Sequence, residues 1–177
     1  MSKAVLISIR PKWCEKIISG EKTIEVRKTR PKMDMTFKCY IYRSVQGGVI
    51  GEFVCDHIFE RIVRVGASCE APKYCICDWN MDCTPLDTLL ADACLTKDEL
   101  EKYLDGGVGY GWHISDLKIY DTPKELIEFH TWKKCKSCNK SGYESTACIY
   151  DENCIIPAAI TKAPQSWCYV EEEIWND

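Results

Sequence analysis

The sequence predicts an α+β fold in which a small β-barrel is flanked by a few short helices. Short runs rich in β-branched and aromatic residues recur along the chain and favour strands. Capped helical segments are few and short, and antiparallel strands joined by tight turns are typical of small barrels. A length of 177 residues with 46% hydrophobic content suits one domain with its own core, so we expect residues 1–177 to form a single domain.

Strand and helix signals alternate in the first third of the chain. Ala4–Ile9 is a short apolar run that favours a strand. Pro11 can open a helix, because its missing N–H has no partner at that position, and Gly20 can end it. Further strand-type runs lie at 37–43 and 49–65, and the glycine pair between them predicts a hairpin.

Helical signals come next. Thr84 can cap a helix over 85–93, and the capping-box sequence Thr96–Glu99 precedes a helix that reaches Leu104. Two further strand-type runs are Tyr110–Tyr120 and Ser166–Glu173.

Charge is distributed unevenly along the chain. Residues 10–43 hold ten Lys or Arg and four acids, a net charge of +6, whereas the rest holds 13 basic and 23 acidic residues, a net charge of −10. A basic patch on an acidic protein favours an anionic ligand such as RNA. The alternative is a solvated basic face without a ligand.

Targeting signals are absent from the sequence. No apolar run approaches the roughly 20 residues of a membrane helix, and the first one is too short for a signal peptide. We therefore expect a cytoplasmic protein with no membrane association. In a reducing cytosol, the thirteen cysteines favour free thiols or a metal site over a disulfide framework.

A polar, cysteine-rich stretch lies near the C-terminus, and we expect residues 133–160 to be an inserted loop. Its four cysteines have the spacing C-x2-C-x9-C-x5-C, and they are Cys135, Cys138, Cys148 and Cys154. The first pair has the spacing of a zinc knuckle, so a structural zinc is one prediction and free thiols or an oxidised pair are the alternatives. The loop is also a candidate surface for a protein partner.

The segment 20–27 has the pattern G-x-K-x-x-E-x-R, formed by Lys22, Glu25 and Arg27. Strand alternation points Ile24 and Val26 to the core and leaves Glu25 and Arg27 together on the other, exposed face. Lys22 precedes the strand and is expected to lean into a cavity. Such a cluster could lower the pKa of the lysine so that it acts as a nucleophile or a base. Alternatively, the guanidinium of the arginine could bind a phosphate. The alternative is a surface ion pair that stabilises the protein little.

This segment and four others resemble the ASCH domain family, whose fold is related to the RNA-binding PUA domain. The stretches that carry the resemblance are Ser8–Trp13, Gly20–Arg27, Pro31, Tyr110–Ile114 and Pro164–Val170. The resemblance implies a PUA-like barrel whose motif lines a cleft between the barrel and the helices. It also implies a protein that binds RNA or a modified nucleoside, with a regulatory role as a further expectation.

The resemblance leaves the activity open. One branch of the family hydrolyses N4-acetylcytidine with a lysine at the position of Lys22, but that branch has a threonine where this chain has Glu25. Another branch is associated with ribonuclease activity. An amidohydrolase or ribonuclease is therefore one alternative to binding, and a protein-interaction module is a second.

If the protein is a hydrolase, several residues are expected to take part in the reaction. Lys22 or a water that it activates would attack the amide carbonyl, Glu25 would relay protons, and Arg27 would stabilise the oxyanion. The candidate substrate-binding residues are Trp13, Glu52, Tyr110, Trp112 and His113. Each aromatic side chain could instead belong to the core, His113 could be structural, and Glu52 could be solvated.

Overall fold

The computed structural model describes residues 3–64, 74–77, 83–84, 86–134 and 155–172. Its strands are β1 (Lys3–Ile9), β2 (Ile24–Arg27), β3 (Phe37–Arg43), β4 (Val49–Cys55), β5 (Ile58–Arg64), β6 (Tyr74–Cys77), β7 (Cys83–Thr84), β8 (Gly109–His113), β9 (Ser115–Lys124), β10 (His130–Lys134), β11 (Ile155–Ala159) and β12 (Trp167–Glu171). Its α-helices are α1 (Pro11–Ile18), α2 (Asp87–Asp92) and α3 (Lys97–Leu104), and Leu126–Glu128 is a 3₁₀ turn.

The strands form two five-stranded sheets and one two-stranded sheet. The first sheet has the order β12-β1-β3-β4-β9, and the second has the order β2-β8-β5-β6-β7. All of these pairs are antiparallel except β1 with β3, which α1 and β2 separate along the chain. The α+β class is as predicted. Within the described residues, however, both five-stranded sheets are open, and the strands do not close into the expected barrel.

Local sequence signals explain where α1 and α3 begin and end. Pro11 opens α1, and Gly20 follows its end with a φ of +78°, which glycine adopts without steric cost. Thr96 caps α3 as predicted: its hydroxyl accepts a hydrogen bond from the Glu99 N–H at 3.2 Å, and the Glu99 carboxylate accepts one from the Thr96 N–H at 3.0 Å.

Three predicted elements have different bounds in the structure. The helix expected after Thr84 begins only at Asp87, without a side-chain cap. The run 49–65 is divided between β4 and β5 at residues 56–57, because the chain leaves the first sheet there and joins the second. The run 110–120 is divided in the same way at Ile114, between β8 and β9. The predicted hairpin at Gly47 and Gly48 joins β3 to β4.

The first sheet is covered on both faces. Val5, Ile7 and Ile9 of β1 pack with α1, β3 and β4. Ala4 and Leu6 of β1 pack with Phe129 and Val170 in a separate cluster. A third cluster packs β2 against α2 and α3 through Ile24, Val26 and Leu100. In the described part of the chain no helix is long and apolar enough to cross a bilayer.

Strand β2 differs from the prediction in one respect. Ile24 and Val26 lie in the core as expected, but Glu25 and Arg27 are largely buried as well. The second face of β2 is covered because β1, α1 and the segment before β12 lie against it.

The predicted insertion at 133–160 is described only in part. Strands β10 and β11 pair antiparallel, from His130 with Ala159 to Lys134 with Ile155. Residues 135–154, including all four predicted zinc ligands, lie outside the described residues.

Candidate nucleic-acid site

Lys22 is buried in a polar setting between two helices. Its side chain is 2% exposed, and its ammonium group donates a hydrogen bond to the carbonyl oxygen of Ala93 at 2.7 Å. Ala93 caps the C-terminal end of α2, where the helix dipole favours a cation. The same nitrogen lies 3.3 Å from Glu25 Oε2 and 5.1 Å from the centre of the Trp13 ring. The positive charge of Lys22 is therefore compensated on several sides.

Glu25 joins Lys22 to Arg27. Its second carboxylate oxygen, Oε1, lies 3.0 Å from Arg27 Nη2, and that nitrogen also donates to the carbonyl oxygen of Ser8 at 2.7 Å. Arg27 Nη1 lies 3.5 Å from the Ser166 hydroxyl. Glu25 and Arg27 are 7% and 8% exposed, so the three charged residues form a buried cation–anion–cation row. Burial of charges is costly unless they are paired, and here each charge has at least one partner.

The backbone fixes this row from three sides. The Lys22 N–H donates to the carbonyl of Lys16 in α1, and the Thr23 N–H donates to the carbonyl of Asp92 at the end of α2. Strand β2 then pairs with β8, which places Glu25 opposite Trp112 and Arg27 opposite Tyr110. The backbone of the turn before β2 is therefore held between α1 and α2.

A cleft of about 930 Å³ opens beside the row, and Glu25 and Arg27 line it. Its walls come from β1, α1, β2, α3 and the segment before β12. The basic residues that line it are Arg10, Lys12, Arg27, Lys28 and Lys102, and the acidic ones are Glu25 and Glu99. The cleft therefore has a formal charge of +3 on a chain whose net charge is −4. Lys22 is not among the lining residues.

Aromatic side chains stand at the sides of the cleft. Trp13, Tyr42 and Tyr103 line it, and the Lys12 ammonium lies 4.3 Å from the centre of the Trp13 ring. The Lys28 ammonium lies 5.4 Å from the centre of the Tyr103 ring. Both distances are within the range of cation–π attraction. The cleft thus combines flat apolar surfaces with cations.

Two groups around the row have shifted pKa values. Burial raises the pKa of the Cys14 thiol to about 11, and the negative charge of Glu25 adds to the shift. Burial also raises the pKa of Tyr103, against a smaller lowering by the charge of Arg27. Both groups are thus neutral at physiological pH, and neither supplies a nucleophilic anion to the cleft.

The predicted aromatic candidates separate into three environments. Trp13 lines the cleft. Tyr110 lines a second hollow next to it. Trp112 is wholly buried in the core, where its ring meets Phe37 edge-on at 5.9 Å and Trp167 at 5.8 Å. Trp112 therefore supports the floor of the site and has no surface that a ligand could contact.

The two polar candidates lie away from the cleft lining. Glu52 accepts a hydrogen bond from the Tyr120 hydroxyl at 2.5 Å and pairs with Lys38 at 3.5 Å. His113 is partly exposed, and its Nδ1 lies 2.6 Å from Asp56 Oδ1. This hydrogen bond is the main cause of the lowered pKa of Asp56. Each of these residues has its own partners outside the cleft.

Sequence reasoning missed Lys102 and Tyr103 of α3 as residues of the site. Glu99, Lys102 and Tyr103 all line the cleft, and their spacing of three and four residues places them on one face of the helix. This spacing is visible in the sequence beside the Thr96 capping box. Sequence reasoning also missed Ala93, whose carbonyl oxygen accepts a hydrogen bond from Lys22. A backbone acceptor of this kind leaves no signal in the sequence.

No metal site is found in the parts of the chain that the structure describes. The predicted zinc ligands Cys135, Cys138, Cys148 and Cys154 lie outside those parts, so zinc remains a prediction.

Three crystal structures of a Zymomonas mobilis protein and its mutants are similar to this chain. The crystal structure of ASCH from Zymomonas mobilis matches with a TM-score of 0.56 at 17% identity, over 96% of this chain and 88% of that one. A tyrosine-to-phenylalanine mutant of that protein matches over 97% and 92% of the two chains, at 17% identity and a TM-score of 0.56. A serine-to-alanine mutant matches over 96% and 89%, at 16% identity and the same TM-score.

No family model matches this chain, and no curated protein matches it by sequence. The structural matches nevertheless span nearly the whole chain. This chain therefore has an ASCH-like fold, as its motifs predicted.

Proposed function

We propose that this protein binds RNA or a modified nucleoside in the cleft beside Lys22, Glu25 and Arg27. The observation that carries the proposal is the formal charge of +3 in the cleft, on a chain whose net charge is −4. The buried row of Lys22, Glu25 and Arg27 lies at the floor of this cleft, and its backbone is held by hydrogen bonds. The ASCH-like fold agrees with this assignment, because the PUA domains to which that family is related bind RNA.

Electrostatics supports a polyanionic or phosphate-bearing ligand. Cations that line a concave surface with low-dielectric walls concentrate the field and attract anions from solution. The five basic residues of the cleft outnumber its two acids, although acidic residues predominate in the chain as a whole. Their number suits a ligand that carries several negative charges rather than one.

The aromatic walls support a base as the second part of the ligand. Trp13 and Tyr103 present rings to the cleft, and stacking of a base on such rings contributes about 1–3 kcal/mol in single-strand readers. Stacking tolerates any base, because every base has a π-face. A cleft with rings and cations together therefore suits a nucleotide better than a free phosphate or an acidic peptide.

Arg27 is placed to recognise the ligand. Glu25 and the Ser8 carbonyl hold Nη2, which fixes the plane of the guanidinium before a ligand arrives. The second Nη1 proton of this pre-oriented guanidinium can donate a charge-assisted hydrogen bond to a phosphate or base oxygen. We assign Glu25 the role of orienting Arg27, and Lys22 the role of orienting Glu25.

A pair of lysine variants on one helix tests the proposal. Lys102 lines the cleft, whereas Lys97 is exposed on the same helix and does not line it. We expect Lys102→Ala to weaken binding of a fluorescein-labelled cytidine hexamer and to reduce the slope of log K against log salt by about 0.7, which corresponds to one lost phosphate contact. Lys97→Ala should change neither quantity.

Fluorescence anisotropy at several salt concentrations measures both quantities. If the hexamer does not bind, or if the two variants weaken it equally, the assignment of the cleft as the binding site is wrong.

Hydrolysis of a nucleoside amide is the second candidate, favoured by the contact between Lys22 and Glu25 at the edge of the cleft. Because Lys22 is 2% exposed and does not line the cleft, Glu25 is the group that could accept a proton from an attacking water. Turnover of N4-acetylcytidine by the protein, abolished in Glu25→Gln, would support this function. No turnover by the unmodified protein would exclude this substrate.

A regulatory role through a protein partner remains a separate proposal. The segment predicted to bind such a partner is 133–160, of which residues 135–154 lie outside the described residues. Replacing residues 135–154 with a short Gly-Ser linker between β10 and β11 should spare RNA binding and abolish association with the partner.

A further inference from the structure

A second hollow of about 590 Å³ lies next to the cleft. The loop 28–34, which joins β2 to β3, and the ring of Tyr110 line it. Its basic residues are Lys28, Arg30 and Lys32, and its acidic residue is Asp34, so its formal charge is +2. Like the cleft, this hollow combines an aromatic ring with an excess of cations.

The two hollows are adjacent. Lys28 and Thr29 line both of them, so one rim is shared. Arg27 in the cleft and Tyr110 in the second hollow are directly opposite each other on β2 and β8. Residues paired in this way have Cα atoms about 4.5–5.5 Å apart. A ligand that contacts Arg27 therefore reaches the second hollow after a short distance along the shared rim.

The loop that lines the second hollow is anchored to β12. Trp167 Nε1 donates a hydrogen bond to the Thr29 hydroxyl at 3.0 Å, and the Lys32 N–H donates one to the Tyr169 hydroxyl at 2.7 Å. Pro31 between them is buried. Since the loop is anchored through the Thr29 side chain and the Lys32 backbone, binding at the exposed Lys32 side chain requires little ordering of the loop.

We propose that the loop 28–34 and Tyr110 form a second nucleotide subsite, so that the ligand of the cleft is an RNA strand of at least two nucleotides rather than a free nucleoside. This inference rests on the proposed function and names its ligand class. One base occupies the cleft, the connecting phosphate crosses the shared rim near Lys28, and the next base stacks on Tyr110 beside Lys32. Alternating cations and rings along a groove are the arrangement that single-strand binding uses.

Ligands of increasing length test the inference. Cytidine, the cytidine dinucleotide and a cytidine hexamer are titrated into the full chain by calorimetry. We expect the dinucleotide to bind at least about fivefold more tightly than cytidine, which corresponds to the low end of one added stacking contact. Tyr110→Leu keeps apolar bulk against the core but removes the ring, and it should weaken the dinucleotide by about fivefold or more while leaving cytidine unchanged. Lys32→Ala should weaken the hexamer and leave cytidine unchanged.

Lys3→Ala is the matched control for Lys32→Ala. Lys3 is exposed at the far end of β1, about 17 Å along the strand from Ser8 in the cleft, and its removal should not affect the hexamer. The inference is overturned if the dinucleotide binds no more tightly than cytidine. It is also overturned if Lys32→Ala and Lys3→Ala weaken the hexamer equally. If neither cytidine nor either oligonucleotide binds, the proposed function itself fails.

Discussion

The substitution Glu25→Gln removes the charge that separates two buried cations. In the folded protein, the Glu25 carboxylate lies 3.3 Å from Lys22 Nζ and 3.0 Å from Arg27 Nη2. At an effective dielectric constant of 20, each contact corresponds to a Coulomb attraction of about 5 kcal/mol. The cost of desolvating the three charges offsets much of this attraction.

The expected loss of stability follows from the contacts of Lys22 and Arg27 that remain after the substitution. Lys22 keeps the carbonyl of Ala93 and Arg27 keeps the carbonyl of Ser8, but both positive charges stay buried and repel each other. Removing one member of a buried ion pair typically costs about 3–5 kcal/mol. We expect a loss of about 3 kcal/mol in the free energy of unfolding. For a chain of this size that loss corresponds to a fall in Tm of about 6–12 °C.

Urea denaturation followed by tryptophan fluorescence measures the loss, which should appear as a lower midpoint with an unchanged m value. Glu21→Gln is the matched control, because it makes the same chemical change four residues earlier in an exposed pair with Lys16 at 2.7 Å. The control should unfold like the unmodified protein. A double variant that adds Lys22→Met to Glu25→Gln should recover part of the loss. Equal midpoints for Glu25→Gln and Glu21→Gln would refute the buried-row interpretation.

Three further predictions concern other parts of the chain. Thr96→Ala removes the cap of α3 and should lower the free energy of unfolding by about 1 kcal/mol in the same urea assay. An unchanged free energy of unfolding would show that the cap is not formed in solution. Burial raises the pKa of Cys14 to about 11 from an ordinary value of 9.0, so the folded state binds its proton more tightly. The associated stabilisation is complete below pH 9 and is lost as the pH rises from 9 to 11. Cys14→Ala should reduce the slope of stability against pH in that window, and an unchanged slope would contradict the assignment. Purified protein should contain one zinc per chain by metal analysis, and the combined change of Cys135 and Cys138 to serine should remove it; a metal-free protein would contradict the zinc prediction.

Short-range patterns predicted much of the fold. Alternation correctly placed Ile24 and Val26 in the core, and the capping-box sequence correctly placed the start of α3, because both signals depend on neighbouring residues. The division of the run 49–65 between two sheets could not be read from its composition. Both halves have the same residue preferences, and only the pairing partners differ.

The environment of the candidate site could not be predicted from the sequence. The pattern around Lys22 identified the charged row, yet alternation alone implied that Glu25 and Arg27 face solvent. They are buried because residues distant along the chain cover them: Ser166 contacts Arg27 across 139 positions. Distant residues also explain why Trp112 is buried in the core whereas Tyr110 lines a hollow. Phe37 and Trp167, which lie on other strands, pack against the Trp112 ring. Contacts between residues so far apart along the chain have no signal in a single sequence.

Photo-crosslinking tests the central claim most directly, because it reports where RNA lies on the folded chain. A cytidine hexamer that carries one 4-thiouridine is bound to the 177-residue chain and irradiated, and the crosslinked residues are mapped by mass spectrometry. The proposed site predicts crosslinks to Trp13 and Tyr103 in the cleft, and to the loop 28–34 or Tyr110 when the thiouridine is moved by one position. Crosslinks confined to the exposed residues of β9, with none in the cleft or the loop, would contradict it.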